Sequence, residues 1–177
     1  MANQKNTKSN KSIHLVIMFG VGVIIAAGIF LTKMKNDNNQ VVASDKQSTI
    51  EAQVSESGDL IIPIADITEK ANFYGYDVDG TPLEVIAIKA SDGSIRTAFN
   101  TCQVCYSSGR GYYVQEGDNL VCQNCGNQFS ASDVEVSRGG CNPVPIMDEN
   151  KVVDETNITI PKDFLESSKA IFENWKF

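Results

Sequence analysis

Two pairs of cysteines constrain this chain more than any other feature. Each pair has the pattern CxxC, Cys102 with Cys105 and Cys122 with Cys125, and sixteen residues separate the pairs. A CxxC turn brings two sulfur atoms to one side of a tight loop, so two such turns can offer four thiolates to one site. Thiolates are soft ligands that select zinc, copper(I) or iron–sulfur clusters over magnesium and calcium. The spacing therefore predicts a metal site formed by these four cysteines and does not identify the metal.

A fifth cysteine lies in the segment Gly139–Pro143, which reads GGCNP. Gly, Asn and Pro are typical of tight, rigid turns, and such a turn can bring the Cys141 thiol to the metal site. We predict that Cys141 lies close to the site without being one of its four main ligands. It is also a candidate to replace one of those ligands, and a disulfide or a buried unreactive thiol are the remaining alternatives.

The N-terminal part of the chain has the pattern of a membrane anchor. Residues 1–12 form a polar, basic tail, and residues 13–31 contain no Asp, Glu, Lys or Arg. As a helix, this apolar segment would span about 28 Å, roughly the hydrocarbon thickness of a bilayer. We predict an uncleaved transmembrane signal-anchor helix, with a cleaved signal peptide as the alternative. The lysine distribution favours a cytoplasmic N terminus, and therefore a single-pass protein of the cell membrane whose C-terminal domain is extracytoplasmic.

The rest of the chain is acidic and divides into a stalk and one domain. Beyond residue 35 there are 22 acidic and 10 basic residues, a net charge of −12. This disfavours nucleic acid as a partner, because phosphate binding depends on Lys and Arg. Residues 32–58 are polar without apolar periodicity, which predicts a flexible stalk. Residues 59–177 are long enough for one cysteine-rich metal-binding domain with its own core.

We predict a mainly β domain with a C-terminal helix, an α+β fold of Rieske-like or zinc-ribbon-like type. Strand patterns separated by turn residues such as Asp79-Gly80 occur in the first half, and the strand over 83–89 is apolar on both faces. A further hairpin is expected over 111–121 and a short strand over 134–136. After Pro161, apolar residues at helical spacing predict one helix laid over the sheet. These residues are Phe164, Leu165, Ile171, Phe172 and Trp175.

The cysteines also fit two sites other than an iron–sulfur cluster, structural disulfides and a structural zinc site. Structural disulfides suit an exported domain, but five cysteines leave one unpaired and a bond within CxxC closes a loop too short to stabilise much. A structural zinc ribbon fits better, because Cys122–Gly126 has the form of a zinc knuckle. The only histidine, His14, lies in the apolar N-terminal segment, so the domain has no Ser/His/Asp or Cys/His catalytic arrangement. This favours a redox or metal-binding module over an enzyme.

The stretch from Thr101 to Ile146 resembles the FtrD-like family of membrane iron–sulfur-containing proteins. The resemblance rests on both CxxC pairs, on Gly111-Tyr112-Tyr113, on Phe129 and above all on the GGCNPVP segment from Gly139. It extends over about residues 60–177. It implies an iron–sulfur cluster as the cofactor, and membrane iron-transport or redox proteins as partners, because some members accompany iron-uptake systems.

The same stretch is similar in layout to a Rieske domain, in which two ligand loops follow β-hairpins. Cys105 and Cys125 stand near the positions of the Rieske histidines, so a true Rieske centre is excluded and an all-thiolate site on a similar scaffold is expected. Imidazole ligands raise the potential of a Rieske centre, so an all-cysteine cluster should have a lower one.

The sequence thus supports two hypotheses. The first is a membrane-anchored extracytoplasmic module that holds an iron–sulfur cluster for electron transfer or iron handling and uptake. The alternative is a structural zinc-ribbon interaction module without a redox role.

Overall fold

The computed structural model describes residues 47–176, and within them the chain forms twelve strands, one α-helix and five short 3-10 helices. The strands are β1 (Thr49–Glu51), β2 (Gln53–Val54), β3 (Leu60–Pro63), β4 (Asn72–Val78), β5 (Thr81–Lys89), β6 (Ile95–Cys102), β7 (Tyr113–Glu116), β8 (Asn119–Cys122), β9 (Gln128–Ser130), β10 (Pro143–Pro145), β11 (Val152–Val153) and β12 (Asn157–Ile160). The α-helix is α1 (Lys162–Ser167), and the 3-10 helices are Ile64–Asp66, Tyr106–Ser108, Ala131–Asp133, Asp148–Asn150 and Lys169–Phe172. The predicted class, mainly β with a C-terminal helix, is confirmed.

The strands form three sheets, which we call central, lateral and small. The central sheet has the order β1-β4-β5-β6-β10, the lateral sheet β11-β12-β3-β2 and the small sheet β7-β8-β9. Neighbouring strands are antiparallel except β1 and β4, which are parallel. Asp79 and Gly80 join β4 to β5 with φ values of 49° and 80°, the left-handed pair that a two-residue hairpin needs. The predicted Asp-Gly hairpin is therefore confirmed.

The central sheet is covered on both faces, which explains the unbroken apolar run in β5. Successive strand residues point to opposite faces. Val85 and Ala87 belong to a first core, together with residues of the lateral sheet and the tail, such as Ile160 and Phe172. Ile86 and Ile88 face a second core that includes residues of the small sheet and the cysteines Cys102, Cys105 and Cys122. These three candidate metal ligands thus lie inside a hydrophobic layer of the domain.

Two details of the predicted secondary structure are wrong. Residues 134–136 form no strand; Val134 is buried after a 3-10 turn, and Glu135 has a left-handed φ of 66° that a strand cannot contain. The tail is not one helix, because α1 ends at Ser167 and a separate 3-10 helix follows. The hydroxyls of Ser167 and Ser168 both donate to the Phe164 carbonyl, at 2.7 and 2.9 Å, and so compete with the helical backbone bonds. The apolar tail residues nevertheless pack on the first core as predicted.

Part of the predicted stalk lies in strands, because β1 and β2 fall between residues 49 and 54. The described residues all belong to one compact unit. The predicted basic tail, the transmembrane segment over 13–31 and the first part of the stalk lie outside the described residues. Of the helices between residues 47 and 176, none has the length and apolar character that crossing a bilayer requires.

Candidate metal centre

Both CxxC turns begin where a strand ends. Cys102 is the last residue of β6 and Cys122 the last residue of β8. The Cys102 N–H donates to the Gly111 carbonyl at 2.6 Å, and Tyr113 pairs with Cys122 across the β7–β8 ladder. The chain thus returns from the first turn directly into the small sheet, which sets the two turns against each other.

The five cysteine sulfurs form two overlapping groups of three. The sulfurs of Cys102, Cys105 and Cys122, which we call the inner triad, all lie within 4.8 Å of one another. The same holds for Cys105, Cys125 and Cys141, the outer triad. Cys105 belongs to both triads, and its Sγ is 3.8 Å from that of Cys141. All five cysteines are free thiols, and within residues 47–176 no set of four meets the same distance limit.

The spacing of the sulfurs fits a thiolate-bound metal. Four ligands about 2.3 Å from a tetrahedral ion lie roughly 3.8 Å from each other. The Cys105–Cys141 distance equals that value, and each triad is compact enough for three thiolates to face one ion. The residues present therefore fit a metal centre with sulfur ligands, as the CxxC spacing predicts.

The first turn is packed tightly against Gly111. A Cβ atom at position 111 would lie 2.4 Å from the Cys105 carbonyl oxygen and 2.5 Å from its carbonyl carbon. The same carbonyl accepts the Ser108 N–H at 3.0 Å, and the Cys105 N–H points at the Cys102 sulfur at 3.2 Å. Only glycine allows the backbone to approach this closely, so Gly111 fixes the position of Cys105.

The second turn is closed by two backbone hydrogen bonds. The Gly126 N–H donates to the Cys122 carbonyl at 2.8 Å, and the Cys122 N–H donates to Asn127 at 2.9 Å. Gly126 has a φ of 75°, the left-handed conformation that reverses the chain after Cys125. This turn leaves Cys125 exposed, whereas Cys122 is only 1% exposed.

The loop that carries Cys141 is braced by Gln103, a residue inside the first CxxC. The Gln103 backbone N–H donates to the Asn142 carbonyl at 3.1 Å, and its side-chain amide donates to Pro143 at 3.2 Å and accepts from the Gly139 N–H at 3.0 Å. The Tyr113 hydroxyl donates to the Cys141 carbonyl. Cys141 is therefore held next to the site from both sides, in agreement with its predicted proximity.

Burial and hydrogen bonds shift the pKa values of the five thiols in different directions. Burial raises the pKa of the Cys122 thiol to about 12 and also raises the pKa of Cys105. Burial acts in the same direction on Cys102, but hydrogen bonds from backbone N–H groups outweigh it and lower the pKa of that thiol. The Asn127 N–H lowers the pKa of Cys125, whereas hydrogen bonding with Cys125 raises the pKa of Cys141. Such N–H groups stabilise thiolates and also tune metal–sulfur centres.

A buried polar network supports the strand that ends at Cys102. Glu84 is fully buried, accepts a hydrogen bond from Asn100 at 2.5 Å and pairs with Lys176 at 3.1 Å. Asn100 in turn accepts the Tyr113 N–H at 2.7 Å, and its carbonyl accepts the Trp175 indole N–H at 2.7 Å. The network ties β5, β6, β7 and the tail together beside the cysteines.

The sequence reasoning found all the thiols but not the residues that hold them. Gln103, Asn100 and Glu84 were missed. A carboxylate and an amide in otherwise apolar strands were the available clue, since such groups are buried only when they are paired. Of the aromatic residues near the cysteines, Tyr113 and Phe129 pack on the second core with ring centroids 6.1 Å apart.

One comparison with known proteins gives a match. The model of a family described as "Membrane iron-sulfur containing protein FtrD-like" matches residues 67–172, a range that contains all five cysteines. Neither the curated proteins nor the solved structures provide a match for the chain. The similarity to a Rieske layout stays a prediction.

Proposed function

The chain belongs to the FtrD-like family of membrane iron–sulfur-containing proteins, and we propose that it is a membrane-anchored extracytoplasmic module for electron transfer or iron handling. Cys102, Cys105, Cys122 and Cys125 would hold an iron–sulfur cluster. The observation that carries the proposal is the convergence of both CxxC turns on Cys105, with three of the sulfurs buried and compactly grouped. When bound, the cluster supplies a one-electron donor and acceptor.

The residues around the thiols suit an electron-transfer site. Backbone N–H groups face the sulfurs of Cys102 and Cys125, and hydrogen bonds of this kind stabilise the negative charge of metal-bound thiolates. Cys122 and Tyr113 exclude water on the inner side, while Cys125 is exposed. An electron would therefore enter and leave on the side of Cys125, and the all-thiolate ligand set favours a lower potential than that of a Rieske centre.

The membrane part of the proposal rests on the family description and on the apolar segment over 13–31. We infer a single-pass topology with the domain outside the cytoplasm, and partners among membrane iron-transport or redox proteins. In fractionated cells, the full-length chain is expected in the membrane pellet after a carbonate wash. A mature protein that begins after Leu31 would contradict the anchor.

A structural zinc site is the second candidate. The 3.8 Å distance between the sulfurs of Cys105 and Cys141 favours it, since this is the sulfur spacing around one tetrahedral ion. Against a single ion stands the division of the thiols into two triads rather than one compact set of four.

Anaerobic purification of the full-length chain separates the two candidates. An iron–sulfur protein is brown, absorbs in the visible, and contains iron and acid-labile sulfide in about equal amounts. Cys122→Ser is expected to lose that colour, and Val136→Ser, an exposed change outside the triads, is the matched control. A colourless protein with about one zinc per chain and no sulfide would overturn the iron–sulfur proposal and support the zinc module.

A further inference from the structure

The grouping of the thiols has a consequence for Cys141. Cys105 is the only sulfur shared by the two triads, and the outer triad is completed by Cys125 and Cys141. The outer sulfurs meet the same 4.8 Å limit as the inner ones, although the outer triad includes only one residue of the first CxxC and one of the second. A metal ion that faces Cys105 and Cys125 therefore has a third thiol within reach.

The loop of Cys141 is positioned by contacts to the first CxxC itself. Gln103 holds Gly139, which lies two residues before Cys141, and also Asn142 and Pro143, the two residues that follow Cys141. The Asn142 side-chain amide donates to the Gly139 carbonyl at 2.8 Å, which closes the turn from inside. An unreactive packing thiol needs no such brace, because its place would be set by apolar contacts alone.

The two triads differ in their access to solvent. Cys102 and Cys122 are at most 1% exposed, whereas Cys125 is exposed and Cys141 is half-buried. The inner triad lies within the second hydrophobic core, and the outer triad lies at its edge. Metal at the outer triad could reach solvent without opening the core.

We propose that Cys141 is a metal ligand, and that the centre has two metal positions that share Cys105. The inner position has Cys102, Cys105 and Cys122 as ligands, and the outer, solvent-accessible position has Cys105, Cys125 and Cys141. This inference rests on the proposed function only in that the CxxC thiols bind metal, and it adds a fifth ligand to the four predicted from spacing. The metal that these positions would bind is a soft or borderline divalent ion, including iron.

Cobalt(II) titration tests the proposal. The full-length chain is kept in detergent, reduced, and freed of bound metal with a chelator before the titration. Sulfur-to-cobalt charge transfer reports the number of thiolates bound to each ion. The wild-type chain is expected to bind two cobalt ions. Cys141→Ala should bind the first ion as the wild type does and the second more than about 100-fold more weakly. A residue that only supports a ligand costs about 10–100-fold, so the larger loss distinguishes a ligand from a positioning residue.

Three further variants complete the design. Cys102→Ala is expected to weaken the inner step and spare the outer one, the reverse of Cys141→Ala. Cys125→Ala combined with Cys141→Ala should abolish the outer step, because only Cys105 remains there. Val136→Ala, on the same connecting segment and exposed, should titrate as the wild type does. Circular dichroism of each metal-free variant shows whether it still folds. If Cys141→Ala does not fold, Cys141→Ser is the milder replacement.

Three results would overturn the inference: a single cobalt ion in the wild type, a wild-type titration in Cys141→Ala, or a loss below about 100-fold at the outer step. Failure of the proposed function looks different. A chain purified without iron and sulfide, which still binds two cobalt ions through Cys141, would remove the iron–sulfur cluster and leave the two positions standing. If the protein is brown and contains sulfide but its Cys141→Ala variant binds cobalt as the wild type does, only the assignment of Cys141 as a ligand is contradicted.

Discussion

At the scale of single residues, Gly111 packs directly against the backbone of the first CxxC turn. A side chain there would collide with the Cys105 carbonyl, which is backbone and cannot rotate away. Since Cys105 is the sulfur common to both triads, its displacement would disturb the inner and outer groups together. The proposed metal centre thus depends on a residue that offers no ligand atom.

We predict that Gly111→Ala lowers the free energy of unfolding by about 1–3 kcal/mol, as overpacking does, and reduces the bound metal per chain. Urea denaturation and metal analysis of the same preparation measure both effects. Gly117→Ala is the control: its φ of 60° is strained, but no atom lies within 4 Å of the added Cβ. It should cost about 1–2 kcal/mol and leave metal content unchanged. Full metal loading in Gly111→Ala would refute the role assigned to this contact.

At the scale of elements, a buried ion pair joins the segment before Cys141 to the central sheet. Glu135 accepts hydrogen bonds from the backbone N–H and the hydroxyl of Thr97 in β6, at 2.7 and 2.6 Å, and from Lys151. The Lys151 side chain is only 4% exposed, and it also donates to the Ile146 carbonyl at 3.1 Å. The pair therefore fixes both ends of the connection that contains the Cys141 loop.

Removal of one partner of the Glu135–Lys151 pair should lower the free energy of unfolding far more than removal of both charges. We expect Lys151→Met to lower the free energy of unfolding by about 3–5 kcal/mol, because it leaves the Glu135 carboxylate buried without its partner. In the double variant Lys151→Met/Glu135→Gln, the neutral amide can still accept from Thr97, so the loss should be smaller. Urea denaturation of the two single variants and the double variant forms the test. A double variant as unstable as the sum of the single variants would contradict the coupling.

The sequence predicts an element well when neighbouring residues determine it, and poorly when contacts between distant parts of the chain do. The β4–β5 hairpin follows from Asp79-Gly80 and two apolar strands, so it was predicted. The break in the tail depends on which acceptor the Ser167 and Ser168 hydroxyls choose, and apolar spacing carries no information on that choice. The CxxC spacing gave the four cysteines, but the sharing of Cys105 between two triads depends on how the small sheet docks. The pairing of Glu135 with Lys151 is equally a long-range contact, absent from any local pattern.

At the scale of the whole molecule, the proposed metal centre and the second hydrophobic core share three cysteines. Cys102, Cys105 and Cys122 pack with Ile86 of the central sheet and with Leu120 of the small sheet. A metal bound to these sulfurs would therefore bridge two sheets, and its binding free energy would count toward the stability of the folded chain. Loss of metal should be felt across the domain rather than only in the loops.

This coupling predicts opposite pH dependences for the loaded and the metal-free chain. Burial raises the pKa values of Cys122, to about 12, and of Cys105, so these thiols hold protons at pH 7 that a metal must displace. For each proton released, apparent zinc affinity should rise about tenfold per pH unit. The increase in Tm caused by zinc should therefore grow from pH 6 to pH 9. In the metal-free chain, the raised pKa of Cys122 stabilises the fold below the unfolded thiol pKa of about 8.5, and that stability is lost as pH rises toward the folded value.

Scanning calorimetry of the zinc-loaded and the metal-free full-length chain at pH 6, 7, 8, 9 and 10 measures how Tm depends on pH in each form. Cys122→Ser is the informative variant, since it removes the most strongly buried titrating sulfur of the second turn. Its chelated form should lose less stability between pH 9 and pH 10 than the chelated wild type, because the serine hydroxyl does not titrate there. A zinc-induced increase in Tm that is constant or shrinks between pH 6 and pH 9 would show that metal binding displaces no thiol protons. The thiols would then already be ionised in the metal-free chain, contrary to the burial of Cys122 and Cys105.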